Sequence, residues 1–217
     1  RFDGMSRMIQ SMLHRLYPMG EIPDYEPDPT KSFVSIAETK NTTPEAVLYD
    51  YMLENDGYAM GMMPIFNYVD GNHDVIREML LHPQAVSGLS DGGAHCGMIC
   101  DASIPTFMLS HWTRDRTRGE KLPLEWIIKK QTNDTASLYG LNDRGTLHAG
   151  KRADINVIDY NALTLHGPKM AHDLPAGGRR LLQEATGYDY TIVAGTITRQ
   201  SGQDTGQRPG RLIRGAR

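Results

Sequence analysis

Cysteine is scarce, two residues in 217. Cys96 and Cys100 lie four apart beside a candidate site, so they read as reduced thiols rather than a disulfide framework, and a cytoplasmic address is expected. Long apolar runs are missing as well. No stretch approaches the roughly 18 to 20 residues of a membrane-spanning helix, and the opening R-F-D-G-M-S-R-M-I-Q lacks a secretory apolar core, so no membrane partner is expected. A clustered basic surface is also lacking. The formal net charge is -3, and the late Arg208, Arg211, Arg214 and Arg217 read as a solvated tail, so nucleic acid is not an expected partner. The first residue is not methionine, and the chain is expected to begin inside a longer protein whose missing N-terminal part could hold half of a site.

What is present is an alternation of helical and apolar segments. Helical spacing runs from Ser6 to Leu16 and from Ser32 to Thr39, and a third helix opens with Thr43 as N-cap and Pro44 at its first position and stops at Asn55-Asp-Gly57. A strand is expected over Tyr58–Met63, a helix over Asp74–Leu81, and a second strand over Ala85–Leu89. Between the first two helices, Glu21 to Thr30 carries three prolines and four acidic residues and reads as an exposed loop. Later helices open at Pro105 and Pro123, and Asn133 caps a last one ending at Gly140. Such alternation points to parallel β/α units whose strand ends gather polar groups, although two or three strands cannot close a barrel.

From Leu141 the texture turns to short β segments: 145–147, 153–159, and a hairpin of 190–193 with 196–198 about Gly195. Residues 1–140 are therefore expected to form α/β units and 141–217 a small β-domain portion. Asp173 to Arg180 reads as a turn-rich loop whose two arginines could bind an anion or face water.

Chemistry concentrates in V-S-G-L-S-D-G-G-A-H-C-G-M-I-C, residues 86–100. An apolar segment stops at Ser90, Asp91 follows, and Gly92-Gly93 lets backbone approach a ligand closely because no Cβ obstructs it. A carboxylate at the C-terminal lip of a strand is a candidate catalytic group, and a plain Asp-Gly-Gly turn is the alternative. His95 could orient Asp91, touch substrate, or merely stabilise the turn. Asn67 and Tyr68, after the preceding strand, are candidate substrate contacts. His95, Cys96 and Cys100 could also be proposed as a metal cluster, since imidazole and thiolate suit zinc, but no second ligand pair accompanies them.

Taken together, S-D-G-G-A-H, P-T-F-M-L-S-H-W-T-R-D at 105–115, G-T-L-H-A-G-K-R-A-D-I-N-V-I-D at 145–159, V-A-G-T-I-T and T-G-Q-R-P-G-R resemble the C-terminal portion of the amidohydrolase superfamily, in its N-acyl-D-amino-acid deacylase (D-aminoacylase) branch. The resemblance covers the chain from about Ser32. It implies the last units of a metal-dependent (β/α)8 TIM-type barrel followed by part of a small β-sandwich domain. It also implies one or two zinc ions in the complete enzyme and a small-molecule amide substrate. Asp91 matches the aspartate at the end of the eighth barrel strand, beside the metal, which takes a proton from activated water and passes it to the leaving nitrogen. The family's H-x-H metal pair has no counterpart here, because no two histidines are separated by one residue; those ligands are expected upstream of Arg1. Deacylases also carry a basic residue where this chain runs Met98-Ile-Cys-Asp-Ala102.

Three functions stay open: a linear-amide deacylase, a cyclic-amide hydrolase of hydantoinase or dihydroorotase type, and a non-catalytic structural or interaction chain. A homo-oligomer is open in each. With the ligand set absent from this chain, the purified 217-residue polypeptide is expected to hold no stoichiometric zinc and to be inactive. Metal analysis finding about one tightly held zinc per chain would overturn that and revive the Cys96–Cys100 cluster.

Overall fold

The computed structural model describes Arg7, residues 11–88, Ser90 and residues 97–214. Contacts divide the chain into two units, Arg1–Met79 and Leu80–Arg217.

In the first unit, helix formation begins where side chains replace missing backbone partners. Ser32 caps the helix Phe33–Lys40 by accepting from the Ser35 N–H, and Asn41 ends it in the left-handed conformation. Thr43 caps Pro44–Met52 by accepting from the Ala46 N–H, with Pro44 at the first position. The two helices bury Phe33, Ala37 and Val47, against which Leu16, Ile36, Leu48 and Tyr51 pack. The stop expected at Asn55-Asp-Gly57 is visible as positive φ at all three residues. Of the helix expected over Ser6–Leu16, most of the first half lies outside the described residues, and Leu13–Arg15 is a 3-10 turn.

The strand expected over Tyr58–Met63 is shorter and paired differently. β2, Gly61–Met62, lies antiparallel to β1, Tyr17–Pro18. The Tyr51 hydroxyl donates to Met60 O at 2.9 Å and accepts from the Met19 N–H at 3.0 Å, so one phenol links the two strand flanks. Burial raises its pKa. The 21–30 loop is not exposed throughout: Glu26 is 2% exposed, because Tyr68 and His73 draw that stretch inward through contacts described below. Helix Asp74–Leu81 falls where its apolar spacing puts it.

In the second unit, Ala85–Gly88 carries no regular secondary structure, and Leu89 lies outside the described residues. A ladder needs a neighbouring strand, and here side chains take the carbonyls instead: Lys130 Nζ donates to Ala85 O at 2.5 Å, and Thr135 Oγ1 lies 3.3 Å from Ser87 O. Helix Ile104–Ser110 passes directly into a π-helical turn, His111–Asp115, and helix Leu124–Lys129 into another, Lys130–Asp134, before Thr135–Leu138. Asn133 therefore sits inside a continuous helical run and caps nothing. Trp112 is 1% exposed, with the Arg116 guanidinium 5.0 Å from its ring centroid. Gly119 lies so close that a Cβ there would meet Arg116 Nη2 at 2.5 Å.

The β segments follow, every pair antiparallel. β3 (Ile155–Ile158), β8 (Tyr188–Val193), β9 (Thr196–Gln200) and β10 (Gln203–Asp204) form one sheet in the order β10-β9-β8-β3. Ala194 and Gly195 both have positive φ, the backbone that a tight two-residue hairpin requires. β4 (Thr164–Leu165) pairs with β7 (Ala185–Thr186), and β5 (Lys169–Leu174) with β6 (Gly178–Leu182). The segment expected as a loop over Asp173–Arg180 is thus the end of a hairpin, and Arg180 forks onto Asp173 with both bonds at 2.7 Å. Residues 145–147 form no strand. Helices and strands together give the mixed α/β composition that the sequence pattern points to, and no parallel pair occurs among the described residues.

Gly187, with φ +97, passes over the fully buried Leu163, and a Cβ there would meet Leu163 Cα at 2.6 Å. Gly187→Ala is expected to destabilise the second unit by about 1–3 kcal/mol from backbone strain alone, with the backbone clash adding to it. Thermal melts of the two proteins measure the difference.

Candidate functional site

Asp91, Gly92, His95 and Cys96 lie outside the described residues, so the site is built from what flanks them and from the other candidates.

On the N-terminal flank, Lys130 is 3% exposed, yet it carries a charge. Its ammonium donates to Ala85 O and lies 4.7 Å from the Trp126 ring centroid, which offers a negative face to a cation. Burial pulls its pKa below the ordinary lysine value. The neighbouring Lys129, whose side chain is exposed, pairs with Asp134 at 2.5 Å.

On the C-terminal flank, Gln183 gathers three groups. Its Oε1 accepts from Ser103 Oγ at 2.5 Å and from the Cys100 thiol at 3.7 Å, while its Nε2 donates to His166 O at 2.8 Å. Thr106 and Tyr188 share a hydroxyl–hydroxyl bond of 2.8 Å beside it. Burial, helped by the charge of Asp101, pushes the Cys100 thiol pKa up. A raised thiol pKa disfavours the thiolate that binds metal or attacks carbon. Cys100, Ser103, Thr106 and Gln183 face a cavity of about 510 Å³ that Arg180 also lines. A second cavity, of about 680 Å³, lies between Leu109, Leu124, Ile128 and the residues of β3.

The two candidates in the first unit have opposite surroundings. Asn67 is exposed, with φ +58, a left-handed conformation that asparagine tolerates better than most residues. Tyr68 is 5% exposed. Its hydroxyl donates to Pro27 O at 2.6 Å, and its ring meets Tyr17 and His73 edge to face. The phenol is thus committed to main chain within its own unit.

Sequence reasoning missed Glu26 and His73. Glu26 Oε1 accepts from the His73 backbone N–H at 2.7 Å, and a carboxylate oxygen and a ring nitrogen of the two lie within 4.8 Å of one another. Carboxylate and imidazole are ligand types that zinc takes. No local pattern marks them, since His73 lies 47 positions on from Glu26. In the second unit, His111 stacks on Phe107 at 4.6 Å and meets Trp112 edge to face. No helix of the described residues is long and apolar enough to cross a membrane.

Against known proteins, a sequence model described as an amidohydrolase family matches residues 55–199. No curated protein matches. Two solved structures match. One is of D-aminoacylase, described as defining a novel subset of amidohydrolases, at 23% identity and a TM-score of 0.45. The other concerns the functional role of the binuclear metal centre in D-aminoacylase, at 22% identity and a TM-score of 0.45. Each match covers 90% of this chain and 37% of the solved chain.

The environment of Tyr68 yields a direct test. Tyr68→Phe removes the bond to Pro27 O and is expected to lower stability by about 1 kcal/mol. Chemical denaturation read beside substrate kinetics separates this from a binding role, for which KM would rise while the denaturation midpoint held.

Proposed function

The chain belongs to the amidohydrolase family, and from that membership we propose that it is part of a metal-dependent hydrolase of linear amide C–N bonds acting on N-acyl-D-amino acids. The observation that carries this reading is the extent of the match. One family model runs from residue 55 to residue 199, taking in both the Asp91 segment and the β segments beyond it. The reading places residues 1–140 as the last β/α units of a TIM-type barrel and 141–217 as part of a small β-domain. It also places the protein in the cytoplasm, where reduced thiols such as Cys100 persist. The N-terminal part of the same enzyme, preceding Arg1, would complete the fold.

Asp91 is the group on which the chemistry turns. Water adds through oxygen to the amide carbonyl carbon as its proton passes to the Asp91 carboxylate. Asp91 then returns that proton to the amide nitrogen as the C–N bond breaks, leaving a carboxylic acid and a free amine. Zinc, when bound, acidifies water and polarises an amide carbonyl. Asp91 lies at the metal side in this reading, with the remaining ligands in the part preceding Arg1. His95 orients the Asp91 carboxylate or touches substrate, and Asn67 and Tyr68 stand as the weaker substrate contacts. The absence of a basic residue across Met98–Ala102 favours one runner-up, a cyclic-amide hydrolase of hydantoinase type, since a hydantoin ring brings no free carboxylate to be held.

In the complete enzyme, Asp91→Asn is expected to remove most turnover while leaving zinc content and fold nearly unchanged. Asparagine keeps the size and hydrogen-bonding capacity of the side chain but cannot accept water's proton at neutral pH. General acid–base catalysis contributes about 10²- to 10⁴-fold, and a residue serving as both base and acid sits toward the upper end. Turnover of an N-acetyl-D-amino acid, with melts and metal analysis alongside, is the measurement. Near wild-type turnover in the variant ends the catalytic reading.

A further inference from the structure

The larger cavity of the second unit, of about 680 Å³, has no part in the reaction proposed above. Its size is that of a small-molecule site, for which about 300–1,000 Å³ is usual. Leu109, Leu124 and Ile128 form its helical wall, and Leu147, Ile155 and Ile158 face them from the β segments and the stretch before them. Ile128 is 45% and Leu147 78% exposed. Apolar surface is therefore left in water, and an apolar body laid against it would remove that contact favourably.

Most polar groups of the lining are already engaged. The Tyr160 hydroxyl shares a bond of 2.6 Å with that of Thr113, Thr132 Oγ1 donates to Ile128 O at 2.7 Å, and Gln131 Nε2 donates to Pro105 O at 3.2 Å. Asp154, the one carboxylate of the lining, accepts from Arg144 Nη1 at 3.1 Å, from Arg152 Nε at 2.8 Å and from the Ala194 N–H at 2.8 Å. Three donors leave it little capacity for a cationic ligand.

Arg152, the one cation of the lining, is engaged along a single edge. Its Nε meets both oxygens of Asp154, at 2.8 and 2.9 Å, and no described residue supplies an acceptor to Nη1 or Nη2. A guanidinium presents its donors in a rigid fork, and the edge made by Nη1 and Nη2 matches the two oxygens of a carboxylate. The Arg152 backbone N–H donates to Asp143 O at 2.7 Å, which fixes the base of the side chain. Asp154 does not occupy that second edge, and its charge is divided between Arg152 and Arg144.

We propose that this cavity binds a monocarboxylate with an apolar chain: the carboxylate lies on the Nη1–Nη2 edge of Arg152, and the chain lies between the helical wall and the β segments. No covalent bond forms or breaks there. The site is made of described residues of the second unit alone and does not depend on amide hydrolysis.

The test is calorimetric titration of the complete protein with octanoate, octanamide and octylammonium, which share a chain and differ in the head. Wild type, Arg152→Met, Ile128→Asn and Arg180→Met are compared, the last because Arg180 lines the smaller cavity instead. Octanoate is expected to saturate one site and to bind about tenfold or more tighter than either other ligand, as bonds between charged partners imply. Arg152→Met weakens octanoate by about tenfold or more and octanamide by no more than about twofold. Arg180→Met changes neither. Shortening the acid from octanoate to butanoate weakens binding by about two- to fourfold per methylene, as burial of the chain requires. No saturable binding of octanoate, equal or tighter binding of octanamide or octylammonium, affinity independent of chain length, or loss in Arg180→Met rather than Arg152→Met overturns the proposal. Should Arg152→Met fail to fold, Ile128→Asn, at a half-exposed position, decides together with the wild-type head series. Octanoate weakened by about fivefold or more there supports the site, and unchanged affinity overturns it.

Discussion

Main-chain carbonyls that no strand ladder reaches are the constraint around which the second unit is organised. Long cationic side chains meet them. Lys130 serves Ala85, Arg116 serves Glu120, and Arg114 reaches Tyr160 and Leu163 while its Nε and Nη2 hold Asp115. Lys121 returns to Arg114 O and Lys151 to Asn142 O. A buried carbonyl left without a donor costs about 1–3 kcal/mol, so the part-buried bonds of Lys130, Arg116 and Arg114 fix the path of irregular stretches. The Asp115 contact holds the Arg114 guanidinium pKa above its usual value, which keeps that fork charged and in place. Replacing such a residue by one of similar bulk would preserve packing and lose the path.

This explains which parts of the fold were legible in the residues. Helices were readable because their starts are local events. Ser32, Thr43 with Pro44, and Pro105 act on backbone groups within a few positions of themselves, and the helices begin where those residues stand. The Tyr188–Gln200 hairpin was readable for the same reason, its Ala194-Gly195 turn being a two-residue matter. Strands at 58–63 and 85–89 were not, since an extended apolar segment becomes a strand only when another lies beside it. Tyr58–Met63 found two residues of β1, and Ala85–Gly88 found a lysine and a threonine. Asn133 misled because the helical run continues through it, so no free backbone end stands there for it to cap.

The candidate site was legible at one remove. The segment around Asp91 stands out through its glycines and its place after an apolar stretch, and the described residues on either side of it are met from elsewhere in the unit, Ala85 by Lys130 and Cys100 by Gln183. Those flanking residues carry no signature, for a lysine in an amphipathic helix reads as a solvated charge until its burial is known. Glu26 was concealed in the same way. Prolines on either side of it suggested an exposed excursion, whereas Tyr68 and His73, more than forty positions on, turn the carboxylate inward. Long-range polar contacts of this kind have no period and no spacing for a pattern to detect.

The β segments take on a role beyond completing a core. Gln183, on the stretch between β6 and β7, accepts from Ser103 and Cys100 and donates to His166, so an amide from the β region ties down the chain just after the S-D-G-G-A-H run. Arg114 makes the reciprocal connection, from the end of a helix to the carbonyls preceding β4. Both ties are directional, and both use groups with several donors or acceptors set in a plane, which resist rotation better than a single hydroxyl does. Apolar burial by itself would tolerate sliding of the β segments against the helices, because it depends on area and not on direction. With planar polar groups across the contact, a slide would break several bonds together. The helices and the β segments of this unit are thus held in register by direction as well as by area.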